Sequence, residues 1–217
     1  MKIGLDLDDV LGCLCEPFID WYNKKSGTHF NIDEVVTPKL EDLFCITSEE
    51  LSILFIQYFN EEGLHIPKTE GSSEAIDCFK SHGDSLYVIT ARPLTSLAVS
   101  HKWVQTQYGD VFEEIYFVHQ LEGRTKDLKA QKCKQYGIDA MVEDSHANAT
   151  ACADGGRTSF LLRYPWNQVP GNNDTILPVG HWHHGYHNGW QEIIAWRLEQ
   201  ARLALEKEYP ITKPLGN

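Results

Sequence analysis

The chain has 217 residues, of which 42% are hydrophobic and 23% charged, as in a globular domain with a substantial core. Nineteen basic and thirty-one acidic residues give a formal net charge of −12. No Lys/Arg-rich stretch supplies the basic face that a nucleic-acid polymer or an anionic membrane surface requires, which argues against both partners. A small anionic ligand is compatible with this charge, because a metal ion and a few local cations can offset the overall field.

We expect neither an export signal nor a membrane span. No apolar run approaches the roughly 20 residues that cross a bilayer. The first ten residues, MKIGLDLDDV, contain one Lys and reach paired acids too early for a signal peptide. In a chain of this length without an export signal, cysteines scattered without a CxxC pair favour reduced, mostly buried thiols, so we expect a cytoplasmic protein. The six cysteines are Cys13, Cys15, Cys45, Cys78, Cys133 and Cys152.

Short apolar runs alternate with segments of helical spacing along most of the chain. The runs predict strands at Lys2–Leu7, Ser85–Thr90, Glu114–Val118, Ala140–Val142 and Ser159–Leu162. The helical segments are Ser72–His82, Lys126–Tyr136 and Ser145–Ala153. Strands that alternate with helices predict an α/β fold, a Rossmann-like parallel sheet with helices on both faces.

The stretch between the first two strands departs from this alternation. It contains no convincing core strand, but has helical candidates at Glu16–Lys25 and Ser48–Glu62, the second opening close to a capping box. We interpret residues 12–67 as a small helical cap inserted after the first strand, and residues 1–11 and 68–200 as the α/β core. A long amphipathic helix, Gly189–Glu208, extends from this core into residues 201–217, which hold the helix end and a loose tail.

Acidic side chains follow two of the predicted strands at their carboxyl ends, where parallel sheets bind ligands. The first strand ends in Asp6, Leu7, Asp8 and Asp9, and Asp6 and Asp8 are two residues apart and so on one side of an extended chain. Glu143 and Asp144 follow the fourth strand, and Thr90 ends the second. A single acidic pair would be interpreted as a helix cap or loop feature. Two pairs beside a Thr-Ala-Arg segment instead predict a bound metal or cation, since buried unpaired acids are costly.

These residues resemble the motifs of the haloacid dehalogenase-like phosphohydrolases. The DxDx(T/V) motif of that superfamily stands here as Asp6-Leu7-Asp8-Asp9-Val10. Its second motif, a Ser or Thr at the next strand end, matches Thr90. Its third and fourth motifs, a Lys on a helix and then an acidic pair, match Lys129 and Glu143-Asp144. The four motifs occur in order between residues 6 and 144.

Within that superfamily the chain is most similar to the 5'(3')-deoxyribonucleotidase-like branch, over about residues 1–197. The markers are the short cap, the VITARP and KAQKCKQYGIDAMVEDS segments, and LLRYPWNQ followed by a Trp-containing helix. Two positions differ from the branch. Asp9 stands where related nucleotidases often have Gly, and Glu143 stands where Asp is commoner.

The resemblance implies a Mg²⁺-dependent phosphomonoesterase. Asp6 would attack phosphorus to form an aspartyl-phosphate, and Asp8 would protonate the leaving alkoxide and then activate water. An acid at position 8 also argues against a dehalogenase, because a halide leaves without a proton. The expected Mg²⁺ ligands are an Asp6 oxygen, the Asp8 backbone carbonyl and Asp144, with Glu143 ligating directly or orienting bound waters.

The resemblance also assigns residues to the phosphate. Thr90 and the backbone N–H of Ala91 would hold a phosphate oxygen, and Lys129 would neutralise Asp6 and the transferred phosphoryl group. Lys126 and Lys132 are alternatives to Lys129, because an error of one helix turn would exchange them. Arg92 would either contact substrate or lie in solvent.

Two further groups of residues have alternative interpretations. Phe18, Trp21 and Tyr22 on the first cap helix would stack on a base or, the favoured interpretation, form the core of the cap. The His-rich segment 181–187 suggests zinc, since imidazoles are good ligands, but no nearby Cys or acid completes the set. A surface or dimer-contact loop fits that segment better.

The expected function is hydrolysis of a small phosphorylated metabolite, a nucleoside monophosphate, with homodimer formation left open. One alternative is a phosphatase of sugar phosphates or another small metabolite, with the same core and a different cap. Another is a phosphate-binding protein without turnover, against which the complete motif set argues. The sequence leaves open the base and the 5' or 3' position of the phosphate.

Overall fold

The computed structural model describes residues 1–118, 127–168, 175–180, 182–183 and 186–209, and for 182–183 and 186–187 the backbone alone. The strands are β1 (Lys2–Leu5), β2 (Ser85–Thr90), β3 (Phe112–Phe117), β4 (Ala140–Glu143), β5 (Thr158–Leu162), β6 (Leu177–Val179), β7 (Trp182–His183) and β8 (Tyr186–His187). The helices are α1 (Cys15–Ser26), α2 (Leu40–Phe44), α3 (Ser48–Glu62), α4 (Ser72–Ser81), α5 (Leu97–Tyr108), α6 (Leu128–Tyr136), α7 (His146–Asp154) and α8 (Gly189–Glu208).

Strands β1 to β6 form one sheet in the order β3-β2-β1-β4-β5-β6, and every neighbouring pair is parallel. Strand β1 lies at the centre, with Leu5 opposite Val88 on one side and Val142 on the other. The carboxyl ends of β1, β2 and β4 therefore meet at one edge. The predicted α/β fold, a Rossmann-like parallel sheet, is confirmed.

Helices cover both faces of the sheet, because its central strands are apolar on both sides. One face packs against α4, α5 and α8 through Phe79, Trp103 and Trp190, all fully buried. The other packs against α6 and α7 through Cys133 and Cys152. Within the described ranges, no helix combines the length and the apolar character of a membrane span.

Three features of the core differ from the sequence-based prediction. Strand β1 ends at Leu5, although the Asp6 backbone N–H still donates to the Val142 carbonyl at 3.0 Å. Helix α5 was not predicted, because a small polar residue, Ser100, belongs to its buried face beside Trp103 and Val104. Strand β6 has only three residues and is half exposed, so it leaves no apolar run to recognise.

Helices α1 to α4 lie between β1 and β2, the first three of them within residues 12–67. The five-residue α2 was not predicted, and the N-cap residue of α3 lies one position earlier than expected. Thr47 is the N-cap, whose Oγ1 accepts from the Glu50 backbone N–H while Glu50 accepts from the Thr47 N–H. The chain leaves and re-enters the sheet region through neighbouring segments, where the Cys13 N–H donates to the Pro67 carbonyl at 2.8 Å. The division into cap and core at residues 12–67 stays a prediction.

Two predicted segments fall largely outside the described residues. The side chains of the His-rich segment 181–187 are among them, as is the tail after Tyr209. The predicted helix Gly189–Glu208 is present as α8.

We expect the buried ion pair between Arg197 on α8 and Asp84 before β2 to anchor the C-terminal helix. Arg197 Nε and Nη2 donate to Asp84 at 2.5 and 2.9 Å, and both residues are buried. Arg197→Met leaves a buried carboxylate without this partner, so the free energy of unfolding should fall by about 3 kcal/mol. Urea unfolding measures this, with the exposed Arg202→Met on the same helix as control. Equal midpoints for the two variants would contradict the assignment.

Candidate active site

The ammonium group of Lys129 joins the first and last motifs at the carboxyl edge of the sheet. Its Nζ lies 2.5 Å from Asp6 Oδ2 and 3.0 Å from Glu143 Oε1. Asp6 follows β1, Glu143 ends β4, and Lys129 lies in the first turn of α6. The other Asp6 oxygen accepts from the Leu7 N–H at 2.7 Å. All three side chains are buried, so the ion pairs are shielded from solvent.

Burial sets the protonation tendencies of this group. Burial and then the neighbouring acids raise the pKa of Glu143 well above its usual value, against the opposing effect of Lys129. Burial also raises the pKa of Asp6, and Lys129 limits the rise. For Lys129, burial alone lowers the pKa, but Asp6 and Glu143 outweigh it and raise the pKa above its usual value. Lys129 therefore stays protonated.

Asp144 is held by the segment that follows β5. Trp166 Nε1 donates to Asp144 Oδ2 at 3.0 Å, and Asn167 Nδ2 donates to the Asp144 backbone carbonyl at 2.6 Å. Burial, and then the charge of Asp6, raises the pKa of Asp144 to about 7. Trp166 and Asn167 were missed by the sequence analysis, although both lie in the LLRYPWNQ run that carries the branch resemblance.

The acids at this edge fit a divalent cation. Carboxylate oxygens of Asp6, Glu143 and Asp144 lie within 4.8 Å of one another. Glu143 Oε1 is buried and makes no well-oriented hydrogen bond, although Lys129 Nζ is close to it. Hard oxygen donors with excess negative charge are the ligands that Mg²⁺ prefers. Three side chains of the expected ligand set therefore lie together, and their chemistry fits a divalent cation; that they bind one stays a prediction.

Asp9 supports the cap from within the first motif. Its φ is +55°, in the left-handed region that favours glycine. Asp9 Oδ1 accepts from the backbone N–H groups of Leu14 and Cys15 at 2.9 and 3.0 Å. These bonds satisfy donors at the start of α1 and offset the unfavourable backbone conformation.

Arg92 lies neither in solvent nor free in the site. Its guanidinium donates to both oxygens of Asp8, at 2.6 to 3.0 Å, and its side chain is 1% exposed. Thr90 is fully buried, and its Oγ1 accepts from the Arg92 N–H at 3.1 Å. Ala91, between them, is exposed towards the site cavity.

A cavity of about 430 Å³ joins these groups to the cap. Its polar end holds Asp6, Asp8 and Lys129, while its wall on α3 is formed by Phe55, Ile56 and Phe59. The remaining lining residues are Leu14, Ser52, Ala91, Arg92, Pro93 and Asn148. A smaller cavity of about 140 Å³ shares Leu14 and Phe55 with it and reaches Asp9, Asp144 and Trp166.

The aromatic residues predicted on α1 pack inside the cap, as the favoured interpretation proposed. Phe18 is fully buried and stacks on Phe55 at 4.3 Å between ring centroids. Trp21 is 7% exposed and donates to Glu61, and Tyr22 stacks on Phe44 at 3.9 Å. None of the three lines either cavity. The structure therefore gives no support to base stacking by these three residues, because other side chains pack on their rings.

The position of α6 separates two of the alternative lysines. Lys129 faces the acids, whereas Lys132 Nζ lies 5.6 and 5.5 Å from the ring centroids of Tyr116 and Tyr136, away from them. Lys126 lies outside the described residues.

Solved structures with the same fold are hydrolases. A haloacid dehalogenase-like hydrolase of Streptococcus pneumoniae gives a TM-score of 0.60 at 14% identity, over 90% of this chain and 97% of that one. A haloacid dehalogenase family hydrolase of Deinococcus radiodurans, solved with phosphate and sodium, gives 0.61 at 18% identity, over 92% and 96%. A Haemophilus somnus protein described as a predicted phosphoglycolate phosphatase gives 0.60 at 18%, over 90% and 97%.

Curated sequences point to the same class of protein. No family model matches the chain. A Bacillus subtilis protein provisionally named nucleotidase YqfW is 24% identical over 201 residues, 90% of this chain and 93% of that protein. A Bacillus cereus protein, also provisionally named nucleotidase, is 30% identical over 125 residues, 54% of this chain and 64% of that protein. The comparisons confirm the resemblance that the motifs predict and support a phosphoric monoester hydrolase.

Because the pKa of Asp144 rises from 3.8 to about 7 on folding, the folded chain holds a proton between these values that the unfolded chain has lost. The free energy of unfolding of the chelator-treated protein should therefore fall as pH rises from 4 to 7, by about 1–3 kcal/mol after allowance for partial exposure. Asp144→Asn should reduce this dependence without abolishing it, because the pKa values of Asp6 and Glu143 are also raised, and the exposed Asp20→Asn should leave it unchanged. Mg²⁺ should stabilise the wild type most above pH 7, where its ligands are charged.

Melting temperatures between pH 5 and 8, with chelator or with Mg²⁺, measure both effects. The same pH slope in wild type and Asp144→Asn, with no response to Mg²⁺, would contradict the assignment of Asp144 as a charged ligand.

Proposed function

We propose that this chain, which has the fold of the haloacid dehalogenase-like hydrolases, is a Mg²⁺-dependent phosphomonoesterase that hydrolyses nucleoside monophosphates through an aspartyl-phosphate. The observation that carries the proposal is the Lys129 ammonium between Asp6 and Glu143, at the edge where Asp8 and Asp144 also lie. A carboxylate with its charge compensated in this way can approach an anionic phosphate.

In the first step, an Asp6 carboxylate oxygen attacks phosphorus and the bond to the leaving oxygen breaks. Asp8 gives its proton to that oxygen, so an alcohol leaves and an aspartyl-phosphate remains. Lys129 stays protonated throughout and offsets negative charge on the phosphoryl oxygens. One Asp6 oxygen accepts from the Leu7 N–H and the other contacts the Lys129 ammonium. These two contacts fix the orientation of the nucleophile.

In the second step, the Asp8 carboxylate takes a proton from water, and the water oxygen attacks phosphorus. The bond between phosphorus and the Asp6 oxygen breaks, which releases inorganic phosphate and restores both acids. Mg²⁺, when bound by oxygens of Asp6, Asp144 and the Asp8 carbonyl, would supply further charge compensation for the phosphate. Glu143 would ligate it or orient its waters. Thr90 and the Ala91 N–H would bind phosphate oxygens.

The wall of the large cavity favours a nucleoside over a small charged alcohol. Phe55, Ile56 and Phe59 present apolar surface to the leaving group. Of the cations that line this cavity in the described part of the chain, Lys129 is paired with Asp6 and Arg92 with Asp8. The charge of each is already offset by an acid of the site, which disfavours a second anionic group such as the carboxylate of phosphoglycolate. A planar base on an uncharged sugar fits this surface better.

The proposal includes a cytoplasmic location. All six cysteines are free thiols in the structure, including Cys133 and Cys152, whose Sγ atoms lie 4.0 Å apart in the core. Free buried thiols are typical of reducing compartments.

We expect Asp6→Asn to abolish turnover, because an amide cannot act as the nucleophile. The rate should fall by about 10⁴-fold or more, while the circular dichroism spectrum is kept. Phosphate release from an aryl phosphate and from a nucleoside monophosphate measures the loss. Asp20→Asn, an exposed site on α1, is the matched control. Wild-type turnover by a pure Asp6→Asn preparation would exclude the mechanism.

We expect Phe55→Leu to lower kcat/KM for nucleoside monophosphates by roughly 5- to 150-fold, because base stacking contributes about 1–3 kcal/mol. Leu keeps apolar volume against Phe18 but removes the ring face. Ile53→Leu, exposed on the same helix and outside the cavity, is the control. Glycerol phosphate and phosphoglycolate, which offer no base, should be poor substrates and insensitive to Phe55→Leu.

The substrate panel also decides between the two phosphatase alternatives. Faster turnover of sugar phosphates or phosphoglycolate, with no effect of Phe55→Leu on any substrate, would favour a general metabolite phosphatase. The nucleophile experiment is independent of that outcome.

A further inference from the structure

All three guanidinium nitrogens of Arg92 donate hydrogen bonds to neighbouring side chains. Its Nε lies 2.9 and 3.0 Å from the two Asp8 oxygens, and Nη2 lies 2.6 Å from Asp8 Oδ1. Nη1 donates to Ser100 Oγ on α5 at 3.0 Å. Each of its three nitrogens donates to Asp8 or Ser100, and the side chain is 1% exposed, so the guanidinium is held against these partners rather than extended into the cavity.

The contacts of Arg92 join three parts of the molecule. The residue follows β2, its partner Asp8 follows β1, and Ser100 lies on α5. The Phe59 ring of α3 packs on the guanidinium, with 4.4 Å between Cζ and the ring centroid. Phe59 and Ser100 are themselves buried, so the guanidinium is held from two sides. A planar fork held in this way fixes the plane of the carboxylate it binds.

We propose that Arg92 is the positioning residue for Asp8, and that α3 of the cap acts on the acid–base step through Phe59. The inference rests on the proposed function, in which Asp8 gives and takes the proton. The Asp8 side chain is 23% exposed and lines the cavity together with Asp6 and Lys129. Arg92 contacts both oxygens of this carboxylate, and the exposed part of the group faces the cavity, where the leaving oxygen would lie. A displacement of α3 that withdraws Phe59 loosens this arrangement.

A misplaced Asp8 lowers the reaction rate only for substrates whose leaving group needs a proton. Arg92→Gln should therefore lower kcat for a nucleoside monophosphate by roughly 10–100-fold, below the 10²–10⁴-fold that loss of the acid itself costs. For 4-nitrophenyl phosphate, whose phenolate leaves unaided, the loss should stay under about 5-fold. Arg92→Lys keeps the charge but not the fork, and should recover part of the difference.

Two milder variants keep the proposal testable if Arg92→Gln fails to fold. Phe59→Leu and Ser100→Ala each remove one support of the guanidinium and keep the Asp8 pair. Both should lower kcat for the nucleoside monophosphate more than for the aryl phosphate, by a smaller factor than Arg92→Gln. Arg202→Gln, an exposed arginine on α8, should behave as wild type. Melting temperatures identify any variant that has lost its fold.

The combination of Arg92→Gln with Asp8→Asn decides whether Arg92 acts through Asp8. If it does, the double variant is no slower than Asp8→Asn alone with the nucleoside monophosphate. Two outcomes would overturn the proposal and leave Arg92 a structural residue: multiplied losses in the double variant, or equal losses with both leaving groups in Arg92→Gln, Phe59→Leu and Ser100→Ala. An inactive wild type, or an active Asp6→Asn, would instead refute the proposed function.

Discussion

The constraint on which this structure depends is the collection of like charges at one edge of a parallel sheet. Strand β1 places Asp6 there and β4 places Glu143, and the neighbours of both strands are apolar. Carboxylates in such surroundings repel one another and have lost water, which is why the pKa values of Asp6, Glu143 and Asp144 are raised. Lys129 compensates part of that charge. The negative charge that Lys129 does not compensate favours a bound cation at this edge of the sheet.

The same constraint explains how the cap enters the site. Asp9 turns the chain out of the sheet and holds the first backbone N–H groups of α1, so an acid of the motif also anchors the insertion. Helix α3 then closes the cavity with Phe55 and Ile56 and packs Phe59 on Arg92. In the proposed mechanism, one helix would therefore both enclose the leaving group and, through Arg92, orient Asp8. Shielding from water strengthens each charge interaction beneath it.

The position of the site could be predicted because parallel strands end at one edge, so three short motifs sufficed to bring Asp6, Thr90 and Glu143 together. The partners of those residues could not be predicted. The same holds for the residues beside them. Arg92 contacts Ser100 on α5 and Phe59 on α3, and Asp144 contacts Trp166, and packing between separate elements follows no sequence periodicity. The sequence alone left two interpretations open for Phe18, Trp21 and Tyr22, for a related reason. An apolar stripe shows that a helix face is covered, but not whether protein or ligand covers it.

The stereochemical course at phosphorus tests the central claim most directly, namely that the phosphoryl group passes through Asp6. An isotopically chiral phosphate monoester is incubated with the enzyme and an acceptor alcohol, and the configuration of the transferred phosphoryl group is determined. Two successive in-line displacements, first by Asp6 and then by the acceptor oxygen, predict net retention of configuration. Net inversion would mean a single direct displacement and would contradict the account.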